Sequence, residues 1–283
     1  MRPALRHATM VVAASLGFVV GTAHGDAQVI GADTVGAEAV EVRRIPAPEA
    51  HQGVAADGAY LYVVDNRTIG KYDKGSGERV GGWEGSATGP IRHLNAGLVR
   101  DGLLYAVHSN YPEIPMASSI EIFHTESMEH VGSHSFGIHG GSATWLDLRD
   151  GDWWVAFVHY DNQGGLPDRG VEWSTLERFD TEWRRKAGYV FPPALVDRFR
   201  PYSNSGGIWT RDGLLYLTGH DEPELYVVRL PRAGSELEWI GTIPAPIAGQ
   251  GIAADPDDPH TFYGIDRATR EVVEFRVVDA VHP

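Results

Sequence analysis

The stretch Gly97-Leu-Val-Arg-Asp101-Gly102-Leu103-Leu-Tyr-Ala-Val107 decides how this chain is read. One apolar run ends in Asp-Gly and a second begins at once. Asp-Gly between such runs is the strongest short-range hairpin signal, because both residues tolerate the left-handed backbone of a tight reversal. The pattern returns at Gly53-Val-Ala-Ala-Asp57-Gly58 before Tyr60-Leu-Tyr-Val-Val64, and at Thr144 to Gly151 before Trp153-Trp-Val-Ala-Phe157. It returns again at Gly207-Ile-Trp-Thr-Arg-Asp212-Gly213 before Leu214-Leu-Tyr-Leu-Thr218, and in degenerate form at Gly251-Ile-Ala-Ala-Asp255 before Thr261-Phe-Tyr-Gly-Ile265. Successive starts lie about 45 residues apart, with one longer interval in the third repeat, and that is the length of a four-stranded propeller blade.

Further alternating segments supply third and fourth strands to the first four repeats, but the fifth runs out after the strand at Val272–Val277. Its missing strand is legible at the other end. Glu238-Trp-Ile-Gly-Thr-Ile-Pro-Ala-Pro246 leads into Gln250-Gly-Ile-Ala-Ala, and Glu41-Val-Arg-Arg-Ile-Pro-Ala-Pro48 leads into Gln52-Gly-Val-Ala-Ala. This near-duplication predicts that Glu38–Ile45 pairs with Val272–Val277 and closes the ring, removing open sheet edges. The fold expected is an all-β, single five-bladed β-propeller of four-stranded antiparallel blades over residues 38–280, with six blades as the alternative. The extra length at 161–173 and 192–205 is rich in Gly, Pro, Asn and Asp and reads as loops.

Arg2 and Arg6, an apolar stretch from Ala8 to Thr22, and Ala23-His24-Gly25 have the form of an export signal over 1–25, followed by a short lead at 26–37. A periplasmic or secreted protein is therefore expected, not inserted in the membrane after cleavage; an uncleaved anchor is the alternative. The chain has no cysteine, so its core must suffice without disulfides. A net charge of −14 argues against nucleic acid as a partner. No nucleophile elbow, phosphate loop, zinc motif or calcium loop occurs.

In a four-stranded meander, the starts of first strands and the ends of second strands lie on one face. That rule gathers His51, Gln52, Arg92, His93, Asn95, Tyr202, Ser205 and Gln250 with His108, Asn110, Tyr111, His159, Tyr160, His220, Asp221 and Arg267 around one mouth of a central channel. Histidine is the usual proton shuttle near neutral pH and the commonest metal ligand. His108 and His159 are the candidate bases, Tyr111 and Tyr160 the acids, and His220 with Asp221 a further catalytic pair. His51, Gln52, Arg92, His93, Asn95, Asn110, Tyr202, Ser205, Gln250 and Arg267 are the candidate substrate-binding residues. One divalent metal ion on His51, His108, His159 and His220 is the cofactor such a cluster could hold, though channel histidines can equally serve only to satisfy backbone groups. Asp65 and Asp266 read as strand-end residues. Tryptophans are expected between blades, Trp145 and Trp209 excepted because their strands line the channel.

Several of these segments carry a family likeness. His51-Gln-Gly-Val-Ala, His108-Ser-Asn-Tyr-Pro, Ser119-Ile-Glu-Ile-Phe, Ser133-His-Ser-Phe-Gly, Gly219-His-Asp221 with Glu224-Leu-Tyr, and Gly249-Gln-Gly-Ile resemble exported bacterial propeller proteins of the cycloisomerase type. The likeness covers about residues 38 to 277. More distantly, Gln52-Gly53 and the strand-two aromatics are similar to the plant-type glutaminyl cyclases, from which the chain departs in its His before Gln-Gly and its histidine-rich strand-two ends. The resemblance implies ring closure or opening by His/Tyr acid–base chemistry on a small carboxylated or sugar-like molecule, and a monomer is expected. The same side chains would serve a lyase on uronic-acid sugars, and a non-catalytic sugar- or metal-binding propeller is the alternative from another class.

Overall fold

The computed structural model describes residues 36–138 and 140–279. The export signal at 1–25 and nearly all of the lead after it lie outside the described residues. Five four-stranded sheets are present, so the alternative of six blades falls. The first blade contains Gly53–Ala56, Tyr60–Asp65, Thr68–Asp73 and Arg79–Glu84, and the second His93–Arg100, Leu103–Ser109, Ser118–His124 and His130–Gly137. The third contains Ser142–Arg149, Asp152–Val158, Thr175–Phe179 and Arg185–Val190, and the fourth Gly206–Trp209, Leu215–Thr218, Glu224–Arg229 and Glu238–Pro244. The fifth has Ala253–Ala254, Thr261–Asp266 and Glu271–Asp279 from the end of the chain, with Ala37–Pro46 as its outer strand.

The closure has the expected register, with Glu38 opposite Val278 and Ile45 opposite Val272, interrupted by a bulge between Glu41 and Arg43. The Asp-Gly reversals behave as their chemistry requires. Asp101 and Gly102 have φ of 51° and 76°, and Asp150 and Gly151 have 54° and 78°, the paired left-handed residues of a type I′ hairpin turn.

The core lies between blades. Successive residues of a strand point to opposite faces, so Leu61 and Val63 pack toward the fifth blade with Tyr263, Ile265 and Val272, whereas Tyr62 and Val64 pack toward the second with Leu94, Leu104 and Phe123. Equivalent apolar clusters fill the other three interfaces. Both faces of a middle strand are therefore buried, which explains why these strands read as continuous apolar runs.

Two expectations are corrected. The segment 192–205 is not all loop: Pro193–Phe199 is a helix, started by Pro193 and held because Leu195, Val196 and Phe199 share one buried face. Trp145 and Trp209 do not face the axis. Trp145 is buried against Gly207 and donates from Nε1 to Asn204 Oδ1, and Trp209 lies in the same interface with the Arg149 guanidinium over its ring.

Candidate functional site

One mouth of the ring opens into a cavity of about 660 Å³. Its wall brings together His51, Arg92, His93 and Arg267 with Tyr111, Tyr160, Tyr202 and His220. Gln52, Asn95, Ser205 and Gln250 line it as well, joined by Thr144 of the third blade. The convergence follows from the meander, which returns these positions to one face in every blade.

The cavity is a cup, not the open channel that the repeats suggested. A Cβ on Gly251 would lie 2.6 Å from Ala96 Cβ and 3.0 Å from Gly53 Cα, and one on Gly206 would lie 3.0 Å from Gly251 Cα. Backbone from the first, second, fourth and fifth blades thus meets at the axis. Gly251 N donates to the carbonyl of Gln52 at 3.0 Å across this contact.

The centre of the wall is a chain of four groups. Asp65 Oδ1 lies 2.7 Å from His51 Nδ1, His51 Nε2 lies 3.1 Å from Arg267 Nη2, and Arg267 Nη1 lies 3.1 Å from His220 Nε2. A guanidinium can only donate, so both histidines accept at Nε2 and His51 carries its proton on Nδ1, donated to Asp65. Burial raises the Asp65 carboxyl, but its hydrogen bonds from His51 and from Asn66 N, with Arg270 nearby, outweigh that and leave it below the ordinary range. His220 is pushed down by burial and by the Arg267 and His51 charges, against the opposing pull of Asp221. Its Nδ1 lies 2.7 Å from Asp221 Oδ1 as a close contact, not an aligned hydrogen bond, and its ring stacks on Tyr202 at 3.9 Å.

Across the cup His93, Tyr111 and Tyr160 form an aromatic file with ring centres 5.0 and 5.1 Å apart. Burial, then the charges of His108, His51 and Arg267, lower the His93 pKa to about 4, with Asp65 opposing. Burial raises both Tyr111 and Tyr160, so their phenols stay protonated and each keeps a hydrogen to donate.

Four of the expected residues stand elsewhere. His108 is behind the wall: it accepts from Arg92 N at Nε2 and contacts Ser119 Oγ at 2.9 Å through Nδ1, and Ser119 in turn donates to Glu121. His159 is buried, its backbone N–H donating to Ser174 Oγ. Burial lowers both rings. Asn110 braces its own loop through Pro115 O and Ala117 N, and Asp221 is 65% exposed. His51, His108, His159 and His220 therefore do not form a metal-ligand set. Two of them already accept from a guanidinium, and among the described residues no three His, Cys, Asp or Glu side chains gather in a way that could hold an ion.

Sequence reasoning missed Arg67, Thr68, Thr144 and Gln163, and gave Asp65 and Asn66 no role beyond ending a strand, although all six line the cup. Asp65 ends a second strand, and its position opposite the strand-one start at His51 was the available signal.

The His93 shift sets an acid response. Between about pH 6.5 and 4 the unfolded chain binds a proton on His93 that the folded protein refuses, so stability falls as pH drops through that window, by about 3 kcal/mol from this residue. Asp147, raised to about 7 by burial against the hydrogen bonds from Trp209 N and Leu148 N, works in the opposite direction, so the variant must be compared with its parent. His93→Asn should flatten the parent's loss in urea melts across this range. An unchanged slope would refute the assignment.

No model of a known protein family matches this chain, and no curated protein matches it. Among solved structures it is similar to the PQQ-bound form of an aldose sugar dehydrogenase from Streptomyces coelicolor, at 12% identity and a TM-score of 0.54 over 86% of this chain and 98% of that one. It is also similar to a chain of a mitotic checkpoint complex, at 12% identity and a TM-score of 0.45 over 96% of this chain and 99% of that one. At such identity the first likeness is one of fold.

Proposed function

We propose that this propeller is an exported enzyme that binds a small carboxylated substrate in the cup and moves a proton between two of its atoms, as a cycloisomerase-type ring opening or closure requires. Arg267 is the observation that carries this reading. It is partly buried in the wall, its guanidinium donates to two imidazole nitrogens, and among the described residues no carboxylate pairs with it. In a chain of net charge −14 an unneutralised guanidinium in a cup that Arg67 also lines is a prepared seat for an anion.

The chemistry then falls to His51. With Nδ1 fixed on Asp65, Nε2 takes the proton from the substrate as the carboxylate draws Arg267 away. The imidazolium is held by Asp65 and returns the proton to the second atom, so no net proton is consumed. Tyr111 and Tyr160 donate hydrogen bonds to the oxyanion that develops between the two transfers. This moves the base from His108 and His159, which do not reach the cup, to His51.

The test is binding of D-glucuronate, as a carboxylated probe, to the parent and to Arg267→Gln by calorimetry. Charge-assisted hydrogen bonds contribute about 1.5–3 kcal/mol, so affinity should fall at least tenfold, roughly. Equal affinity in the two proteins would end the reading.

A further inference from the structure

The cup has a chemical polarity that its wall alone does not explain. Gln52, Asn95 and Gln250 each immediately precede one of the residues that meet at the axis, Gly53, Ala96 and Gly251, so the three carboxamides share the floor. All three are nearly buried, at 7%, 6% and 2% exposure. Each has its nitrogen engaged: Gln52 Nε2 donates to Asn66 Oδ1 at 3.0 Å, Asn95 Nδ2 to Ala143 O at 3.1 Å and Gln250 Nε2 to His220 O at 2.7 Å. For Asn95 and Gln250 the partner is a backbone carbonyl, which only the nitrogen can face, so the orientation of the amide is fixed. Among the described residues no donor reaches the oxygen of any of the three. Thr144 Oγ1 likewise donates to Asn204 O and keeps only lone pairs for the cup.

The floor therefore offers hydrogen-bond acceptors from three or four blades, while the wall above offers guanidinium and phenol donors. Acceptors this buried are costly to leave unmatched when water is displaced. A ligand must bring donors to the floor and an anion to the wall. Ammonium donors fit poorly, because the one carboxylate in the lining, Asp65, is engaged by His51, while Arg67 and Arg267 line the same cup. Hydroxyl groups carry no such charge.

Resting on the reading of Arg267 as a carboxylate seat, we infer that the substrate class is a polyhydroxylated carboxylate, a sugar acid, held with its carboxylate on Arg267 and its hydroxyls on the carboxamide oxygens of Gln52, Asn95 and Gln250. The floor determines specificity, and the wall provides the charge.

Calorimetry with three probes tests this, first on the unmodified protein and then on variants. D-glucuronate carries both features, cyclohexanecarboxylate only the anion, and methyl β-D-glucoside only the hydroxyls. Glucuronate should bind on the order of a hundredfold more tightly than cyclohexanecarboxylate, reflecting two or three lost hydrogen bonds. Gln52→Met and Asn95→Leu should each weaken glucuronate by about tenfold and leave cyclohexanecarboxylate unchanged, whereas a merely structural defect would weaken both alike. The second variant strands the Ala143 carbonyl, so the first is the safer if folding suffers. Comparable affinity for glucuronate and cyclohexanecarboxylate, with both lost in Arg267→Gln, overturns the floor and leaves the carboxylate reading standing. Glucoside bound as tightly as glucuronate overturns the carboxylate reading, and the sugar-acid class with it. No saturable binding of glucuronate in the millimolar range also overturns the inference.

Discussion

A chain lacking Ala37–Pro46 should lose its cooperative thermal transition and elute as aggregate. That strand supplies nine register pairs to Glu271–Asp279, and its removal leaves a long unpaired edge. It also takes away Ile45, which is 3% exposed and packs with Val272 and Ile265 in the interface between the fifth and first blades. Burial of one such side chain contributes about 1.5–3 kcal/mol. Each ladder hydrogen bond adds about 1 kcal/mol net. The ion pairs of Arg44 with Asp266 and Glu271, and of Arg43 with Glu274, go as well, though as part-exposed pairs they matter less. The sum is comparable with the roughly 5–15 kcal/mol that holds a domain of this kind together. Circular dichroism melts and size-exclusion profiles decide the matter, and a truncated protein melting within a few degrees of its parent would show that the ring closes some other way.

The second large effect is expected at the axis. In Gly251→Val the new Cβ overlaps Ala96 Cβ at 2.6 Å and the Gly53 backbone at 3.0 Å, and the two methyls beyond it have nowhere to go. Overpacking typically costs about 1–3 kcal/mol and more where backbone must move. Three blades would have to move apart here, so the loss should exceed the upper end of that range. Gly81→Val is the matched control: an added Cβ there meets nothing within 4 Å, and the residue lies in an outer strand. Denaturant midpoints of the two variants should differ widely. Equal midpoints would mean that the axis is looser than these contacts require.

The fold was legible because its signals are local and repeated. Asp101-Gly102 and Asp150-Gly151 announce their turns by residue type, and the duplicated Ile-Pro-Ala-Pro identifies the closing strand although its partner lies more than two hundred residues away in sequence. The rim was legible too, since strand order alone brings His51, His93, His220 and Arg267 to one face. What could not be read was depth. His108 and His159 occupy rim positions like those of His51 and His220 in sequence, but Arg92 N donates to His108 Nε2 and His159 is buried, so both rings lie inside their blades. Asp65 read only as a strand end, because strand order places it opposite His51 but its neighbours along the chain give no sign of the 2.7 Å contact. The helix at Pro193–Phe199 was hidden by the prolines around it, as its apolar face is only two turns long.

The backbone plug at Gly53, Ala96, Gly206 and Gly251 also governs traffic. A cup stopped at the bottom gives no exit along the axis, so a departing molecule must leave on the face by which it entered. A linear polymer cannot be threaded through the ring or processed by sliding.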